Sequence, residues 1–180
     1  PTSADQGLMY GNSMIINDVA ISAALVTDDS ASDTTAAGST RSSSAIAVAA
    51  AINRSSAKTG VTATAQPNIV RGTGFAAGTT KGAVYLNGVT ISNVNTATRD
   101  GVIDSLNDVS SKTGVVASAW GEGIQLTAAD GRNIAIASDQ ASSAIGLTGV
   151  TSAATAAAAN VFISQVKLSS SNAFTVRAGA

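Results

Sequence analysis

Ser55-Ser56-Ala57-Lys58 has the S-x-x-K spacing, and Lys58-Thr59-Gly60 reads K-T-G. These patterns occur together where a lysine activates a serine for acyl transfer and a separate Lys-Thr-Gly strand lies across the site. Here a single lysine would have to serve both patterns, so a helix stop is the better reading. The chain has no histidine and no cysteine. That excludes Ser–His–Asp triads, thiolate nucleophiles, disulfides and the usual zinc ligands. Gly72-Thr73-Gly74-Phe75-Ala76-Ala77 fits G-x-G-x-x-A. A dinucleotide site also needs a helix after it and an acidic ribose partner about 20 residues on. The next residues, Gly78-Thr79-Thr80-Lys81-Gly82, read instead as a link between units. Asp28, Asp29 and Asp33 could suggest calcium, but Ser30 and Ser32 occupy positions three and five of an EF-hand loop, and no glycine stands at position six. They read as a solvated loop. Asp100, Asp104 and Asp108 fall on one helix face, which reads as solvent-facing. No catalytic residue, cofactor-binding residue or metal ligand is assigned, and no enzyme is expected.

The 180 residues make room for one ordinary domain or two small ones. Ten Lys+Arg against eleven Asp+Glu give a net charge of −1. Counterion release needs a concentrated basic surface, so a nucleic-acid partner is not expected. Aromatic residues are 3% of the chain, too few for stacking platforms. Ala, Ser and Thr dominate, with 36, 24 and 20 copies. Mean hydropathy is nonetheless +0.25, and Val and Ile recur in patterned runs. A folded protein with a small-residue core is expected, not a disordered one. No run reaches the roughly 18 apolar residues of a membrane span, so no membrane association is expected. The chain begins at Pro1 without a basic–apolar leader, and reads as a piece of a longer chain.

An internal repeat organises the sequence. Met14-Ile15-Ile16-Asn17-Asp18-Val19-Ala20-Ile21-Ser22 matches Val84-Tyr85-Leu86-Asn87-Gly88-Val89-Thr90-Ile91-Ser92 at an offset of 70. Residues 48–63 match 102–117 at an offset of 54, both ending in Lys-Thr-Gly-Val before a strand. Copy one therefore carries 16 extra residues, centred on the Ser/Thr/Asp/Gly stretch Val26–Thr40. Asn87-Gly88 between alternating residues is a strong hairpin signal, and Asn17-Asp18 is a poorer version of it. Val102, Ile103, Leu106 and Val109 recur at helical spacing, as do Val48, Ala49 and Ile52. Gly60 and Gly114 stand where a left-handed helix stop belongs. Ile124–Thr127, Asp130-Gly131 and Ile134–Ile136 read as another hairpin. Residues 161–168 and 173–176 read as closing strands. The expected fold is α+β: two hairpin–helix–strand units with short antiparallel sheets.

Leu86-Asn87-Gly88-Val89-Thr90-Ile91, the Ile52-Asn53 and Leu106-Asn107 helix ends, and the Lys-Thr-Gly-Val runs resemble the flagellin hook IN motif. That motif occurs in the central variable region of bacterial flagellins and in hook-associated proteins such as the filament cap. Residues 51–61 resemble the first copy in Campylobacter- and Helicobacter-type flagellins. Leu126–Ile134 is similar to the strand–turn–strand after their second copy, and 166–176 to a strand pair near the end of many flagellin middle regions. The resemblance covers roughly Met14 to Val176. The sequence departs from it at Asn17-Asp18 and at the Ser/Thr insertion, and the coiled-coil ends that build the filament core are missing.

The resemblance implies a non-catalytic, extracellular outer domain of the flagellar filament. Its partners would be other flagellin subunits, through the missing terminal regions, with antibodies or surface glycans as further candidates. The isolated chain is expected to be monomeric. For both ends to rejoin one filament core they must lie together, so one subdomain is expected from 1–72 plus 150–180, with 73–149 inserted. Flagellins of this type are often O-glycosylated here. The candidates are Thr34, Thr35, Ser39, Thr40, Ser42, Ser43, Ser142 and Ser143, against plain loop composition. Ser42–Ser44 could instead cap the first helix. Asn53-Arg54-Ser55 is a formal sequon inside the expected helix end, and is discounted. Alternatives are a hook-associated or cap protein carrying the same motif, or a glycan-binding adhesin using Trp120, Tyr85 and Tyr10.

Overall fold

The computed structural model describes Met9, residues 11–78 and residues 81–179. The fold is α+β and mostly β, built from several small antiparallel sheets. β1 (Met14–Ile16) and β2 (Val19–Ala20) form a hairpin about Asn17-Asp18. β5 (Gly82–Leu86) and β6 (Val89–Val94) form another about Asn87-Gly88. The turn residues take φ of 47° and 61° in the first hairpin, and 45° and 76° in the second. This backbone matches the right-handed twist of the strands. Asn and Asp enter it because their short polar side chains bond locally, and glycine because it has no Cβ.

α1 (Ala45–Asn53) and α3 (Arg99–Asn107) begin on hydroxyl caps. The Ala47 N–H donates to Ser44 Oγ and the Gly101 N–H to Thr98 Oγ1, each at 3.1 Å. α1 buries Ala47, Ala49, Ala51 and Ile52, and α3 buries Val102 and Leu106. Neither helix runs on to its glycine. Ser55 and Val109 adopt φ of −103° and −112° with ψ of 4° and 12°, which interrupts the ladder. Single turns come next, α2 (Ser56–Thr59) and α4 (Ser110–Thr113), ended by Gly60 and Gly114 at φ of 69° and 70°. A Cβ on Gly60 would meet open space, while one on Gly114 would collide with the Arg132 guanidinium. Gly60→Ala is thus expected to lose about 1 kcal/mol from the left-handed backbone alone. Gly114→Ala should lose more, because Arg132 must move as well. Urea melts of the two variants check the order, and equal losses would contradict it.

β3 (Thr62–Ala65) pairs with β11 (Val166–Ser169), and β1 pairs with β12 (Val176–Ala178). The C-terminal strands therefore complete the small sheets begun by the N-terminal ones, with Met14 opposite Ala178. A second sheet set runs β4 (Asn68–Arg71), β8 (Gly123–Ala128), β7 (Val116–Trp120) in that order. Beside it lies β10 (Asn160–Phe162), β9 (Ile134–Ser138), β5, β6. Two expectations are corrected by these pairings. β8 and β9 are not a hairpin: β4 and β7 already occupy both edges of β8, so Asp130-Gly131 carries the chain across to another sheet. Residues 161–168 are not one strand either, since β10 and β11 belong to different sheets.

Two apolar clusters result. One gathers Ile16, Ile21, Ala47, Ala51, Ile52 and Val61, with Val166, Leu168 and Phe174 packed against it. The other gathers Val84, Leu86, Leu106, Ile124, Ile134, Ile136 and Ile145 among others, with Phe162 against it. They change over between Ala63 and Val70, and again between Phe162 and Val166. Val70 and Val150 belong to the second cluster, and Phe162 packs against it.

Candidate functional site

Four asparagines, two in each half, bond backbone groups of neighbouring elements. Asn53 Nδ2 donates to the Ala63 carbonyl and its Oδ1 accepts from the Ala63 N–H, both at 2.8 Å. Asn107 does the same to Ala117, at 3.0 and 2.8 Å. An amide presents one acceptor and one donor side by side, as a backbone does. Each side chain therefore occupies one step of an open strand edge, on β3 and on β7. Such edges otherwise template pairing with other chains.

Asn17 and Asn87 clamp differently. The Asn87 N–H donates to the Ala135 carbonyl, and its Oδ1 accepts from the Ala135 N–H. Its Nδ2 donates to the Thr113 carbonyl at 2.9 Å. Asn17 bonds Thr175 in the same way, and its Nδ2 donates to the Thr59 carbonyl at 2.8 Å. Each turn asparagine thus joins a hairpin, a helix end and a returning strand. The Thr59 and Thr113 hydroxyls accept from the Val61 and Val115 N–H groups, which shapes the Lys-Thr-Gly-Val segments. Thr59 and Gly60 of the K-T-G pattern thus have a structural use at this helix end. The G-x-G-x-x-A pattern is also structural. A Cβ on Gly72 would strike the Gly146 and Leu147 backbone, and no helix begins within the described residues up to Gly78.

The extra segment of copy one is not a solvated loop, which corrects the reading of Asp28, Asp29 and Asp33. Asp29, Ser32, Ala36 and Ser39 are buried in it. The Asn133 N–H donates to Ser32 Oγ at 2.9 Å, and Asn133 Nδ2 donates to the Thr40 carbonyl at 3.1 Å. The Ala37 N–H donates to the Ala157 carbonyl. The segment is therefore a strap from the first half onto the second, held by hydrogen bonds to a buried asparagine.

Three aspartates are held below the ordinary carboxylate range. Burial would raise Asp28, but the Arg54 guanidinium at 2.7 Å and the Leu25 N–H outweigh it. Burial would likewise raise Asp29, and the nearby Ser32 and Ser44 hydroxyls with the Ala31 and Ser32 N–H groups outweigh it. Burial would raise Asp130 as well, and Arg132 outweighs it. A carboxyl lowered by folding stabilises the fold above its unfolded value of 3.8, and that support is lost as pH falls through the folded value. The melting temperature should hold from neutral pH down to about 5 and fall below about 4. Arg54→Met should flatten part of that fall. An acid limb unchanged by the substitution would contradict the Asp28 assignment.

The candidate hydroxyls divide. Thr34, Thr35 and Ser143 are exposed, and Ser42 and Ser142 are half-buried. Ser39 and Ser43 are buried and donate to the Asp33 and Thr40 carbonyls. Thr40 Oγ1 is buried as well. Of the aromatic candidates, Trp120 and Tyr85 lie in different sheets. Trp120 lies on β7 with Arg71 stacked 3.9 Å from its ring centre, while Tyr85 lies on β5 in another sheet. Tyr10 lies outside the described residues. A cleft of about 400 Å³ is lined by Ala37, Gly38, Ala157–Val161 and Ile163, without an aromatic ring. Among the described residues, no group of three or more His, Cys, Asp or Glu side chains is gathered. No helix among them is long and apolar enough to cross a membrane. Asp100, Asp104 and Asp108 are exposed.

No protein-family model matches the chain, and a search of curated proteins finds no match.

Proposed function

We propose that the chain is a structural, non-catalytic outer domain of a bacterial flagellin, displayed outside the cell along the flagellar filament. The observation that carries this reading is the pairing of β1 with β12. It sets Met14 against Ala178, so the two flanks of the domain can rejoin one filament-core domain. The likeness of the IN-motif segments supplies the family, and their paired asparagines suit a rigid display module. In this reading the two subdomains are stacked outward. The first takes both flanks, and the second, with the Asn87 and Asn107 clamps, is inserted in it. Filament partners bind through the filament-core ends, and the exposed face meets antibodies and glycans.

Grafting tests it. The chain would replace the outer region of a flagellin whose filament-forming ends are kept. Export and assembly into filaments that an antibody to this chain recognises would support the reading. Ends that can no longer assemble would overturn it. Intact mass of the protein from its source cells tests the glycan part. Excess mass should map to Thr34, Thr35 or Ser143, and to none of Ser39, Thr40 and Ser43. Sugar on Ser39 or Ser43 would contradict the buried strap.

A further inference from the structure

Among the described residues, three of the six exposed large apolar side chains lie on one sheet face: Ile69 at 44%, Val116 at 55% and Trp120 at 47%. The register of β4, β8 and β7 puts them together. Ile69 and Val116 both stand opposite Thr127, and Arg71 and Ser118 both stand opposite Gln125, one row further on. Trp120 ends the next row against Gly123, and the Arg71 guanidinium reaches its ring from β4. The alternate residues of the same strands, among them Val70, Ala117 and Leu126, face the core. Arg71 is the one charged residue on the three strands, and its Nε–H is anchored on Gln125 Oε1 at 2.7 Å. Among the described residues it forms no ion pair. Glu122 stands in the turn from β7 to β8, exposed and likewise without an ion pair. Arg99, which bonds that turn, engages the Gly121 carbonyl and Asp100 instead.

Exposed apolar groups gathered on one face mark an interaction site where scattered ones do not, and Trp and Arg are enriched at protein interfaces. A guanidinium that is already stacked and anchored loses little freedom on binding. An acidic ligand fits this face poorly, because Glu122 follows Trp120 by two residues and would repel it. The face carries one unpaired charge of each sign instead. A two-fold contact asks for that combination: the same patch meets itself, so each charge must find its opposite on the other copy. We propose that the outer face of β4, β8 and β7 binds a second copy of this chain about a two-fold axis beside Trp120, with Arg71 of each copy against Glu122 of the other. The axis falls there because Trp120 touches Arg71 on one side and leads into the Glu122 turn on the other. Three apolar side chains are fewer than a permanent dimer buries, so the contact is weak. The chain is monomeric when dilute and pairs when concentrated. This contact belongs to the chain itself and does not depend on the flagellar reading.

The test uses the whole 180-residue chain. Sedimentation velocity over a wide concentration range should show monomer passing into dimer and nothing larger. Trp120 is the only tryptophan, so its emission should shift to the blue over the same range. Trp120→Ser should weaken the pairing by about tenfold or more. Arg71→Glu and Glu122→Arg each set like charges across the axis, and each should weaken it by about tenfold. Mixed together, those two variants present opposite charges at both contacts and should recover a dimer containing one of each. A fault in folding could not produce that rescue. A chain that stays monomeric at every concentration would leave this face to another partner and overturn the proposal. So would charge variants that pair like the parent, a mixture that stays monomeric, or open-ended assembly beyond the dimer.

Discussion

Asn87→Ala is expected to cost about 4 kcal/mol of unfolding free energy. Two buried partners, the Thr113 carbonyl and the Ala135 N–H, lose their bonds to the side chain. Each such loss is worth about 1–3 kcal/mol where the group stays buried. The left-handed φ of 45° adds about 1 kcal/mol once the asparagine is gone. Asn87→Gly separates the contributions, because glycine keeps the turn and lacks only the amide. It should fall about 1 kcal/mol short of the alanine loss. Asn17→Ala should cost less than Asn87→Ala, since Asn17 and Thr175 are more exposed. Urea melts measure all three. A glycine variant as stable as the parent would show that the amide clamps nothing. Against a typical total of about 5–15 kcal/mol, the predicted loss is a large share.

Leu106→Ala should lose about 3 kcal/mol. Leu106 is 1% exposed and lies in the larger apolar cluster, on the face that α3 turns to β6 and β7. Truncating a buried leucine removes its transfer energy and leaves a cavity that the neighbours only partly fill. Leu106→Met, which nearly conserves volume, should cost under about 1.5 kcal/mol. The same denaturant series reads both. A Leu106→Ala variant as mild as Leu106→Met would mean that this cluster contributes little.

The parts of the fold that are legible in the sequence are those with local causes. Asn87-Gly88 announces its turn because two consecutive positive φ values admit few residues. Gly60 and Gly114 announce the helix ends for the same reason. The alternation of Ile124–Thr127 and Ile134–Ile136 shows two strands but not which sheets they join. That depends on β4, whose four residues Asn68–Arg71 carry no signal beyond Ile69-Val70. The strap looks like a solvated loop because its composition is polar. Its burial comes from Asn133, which lies about a hundred residues away in sequence. The clamp role of Asn53 and Asn107 escapes the sequence reading, although a signal exists. Both asparagines close a helix and precede their bonded alanine by the same ten residues. Nothing local says that an amide will cap a strand edge rather than face water.

The central claim is that this domain coats a flagellar filament. Gold-labelled antibody to the chain, applied to intact source cells and viewed by electron microscopy, tests it most directly. The account predicts label along the whole length of extracellular filaments. Label confined to the filament tip or the hook junction would place the same fold in a cap or hook-associated protein. Label on the cell body, with bare filaments, would contradict the flagellar assignment.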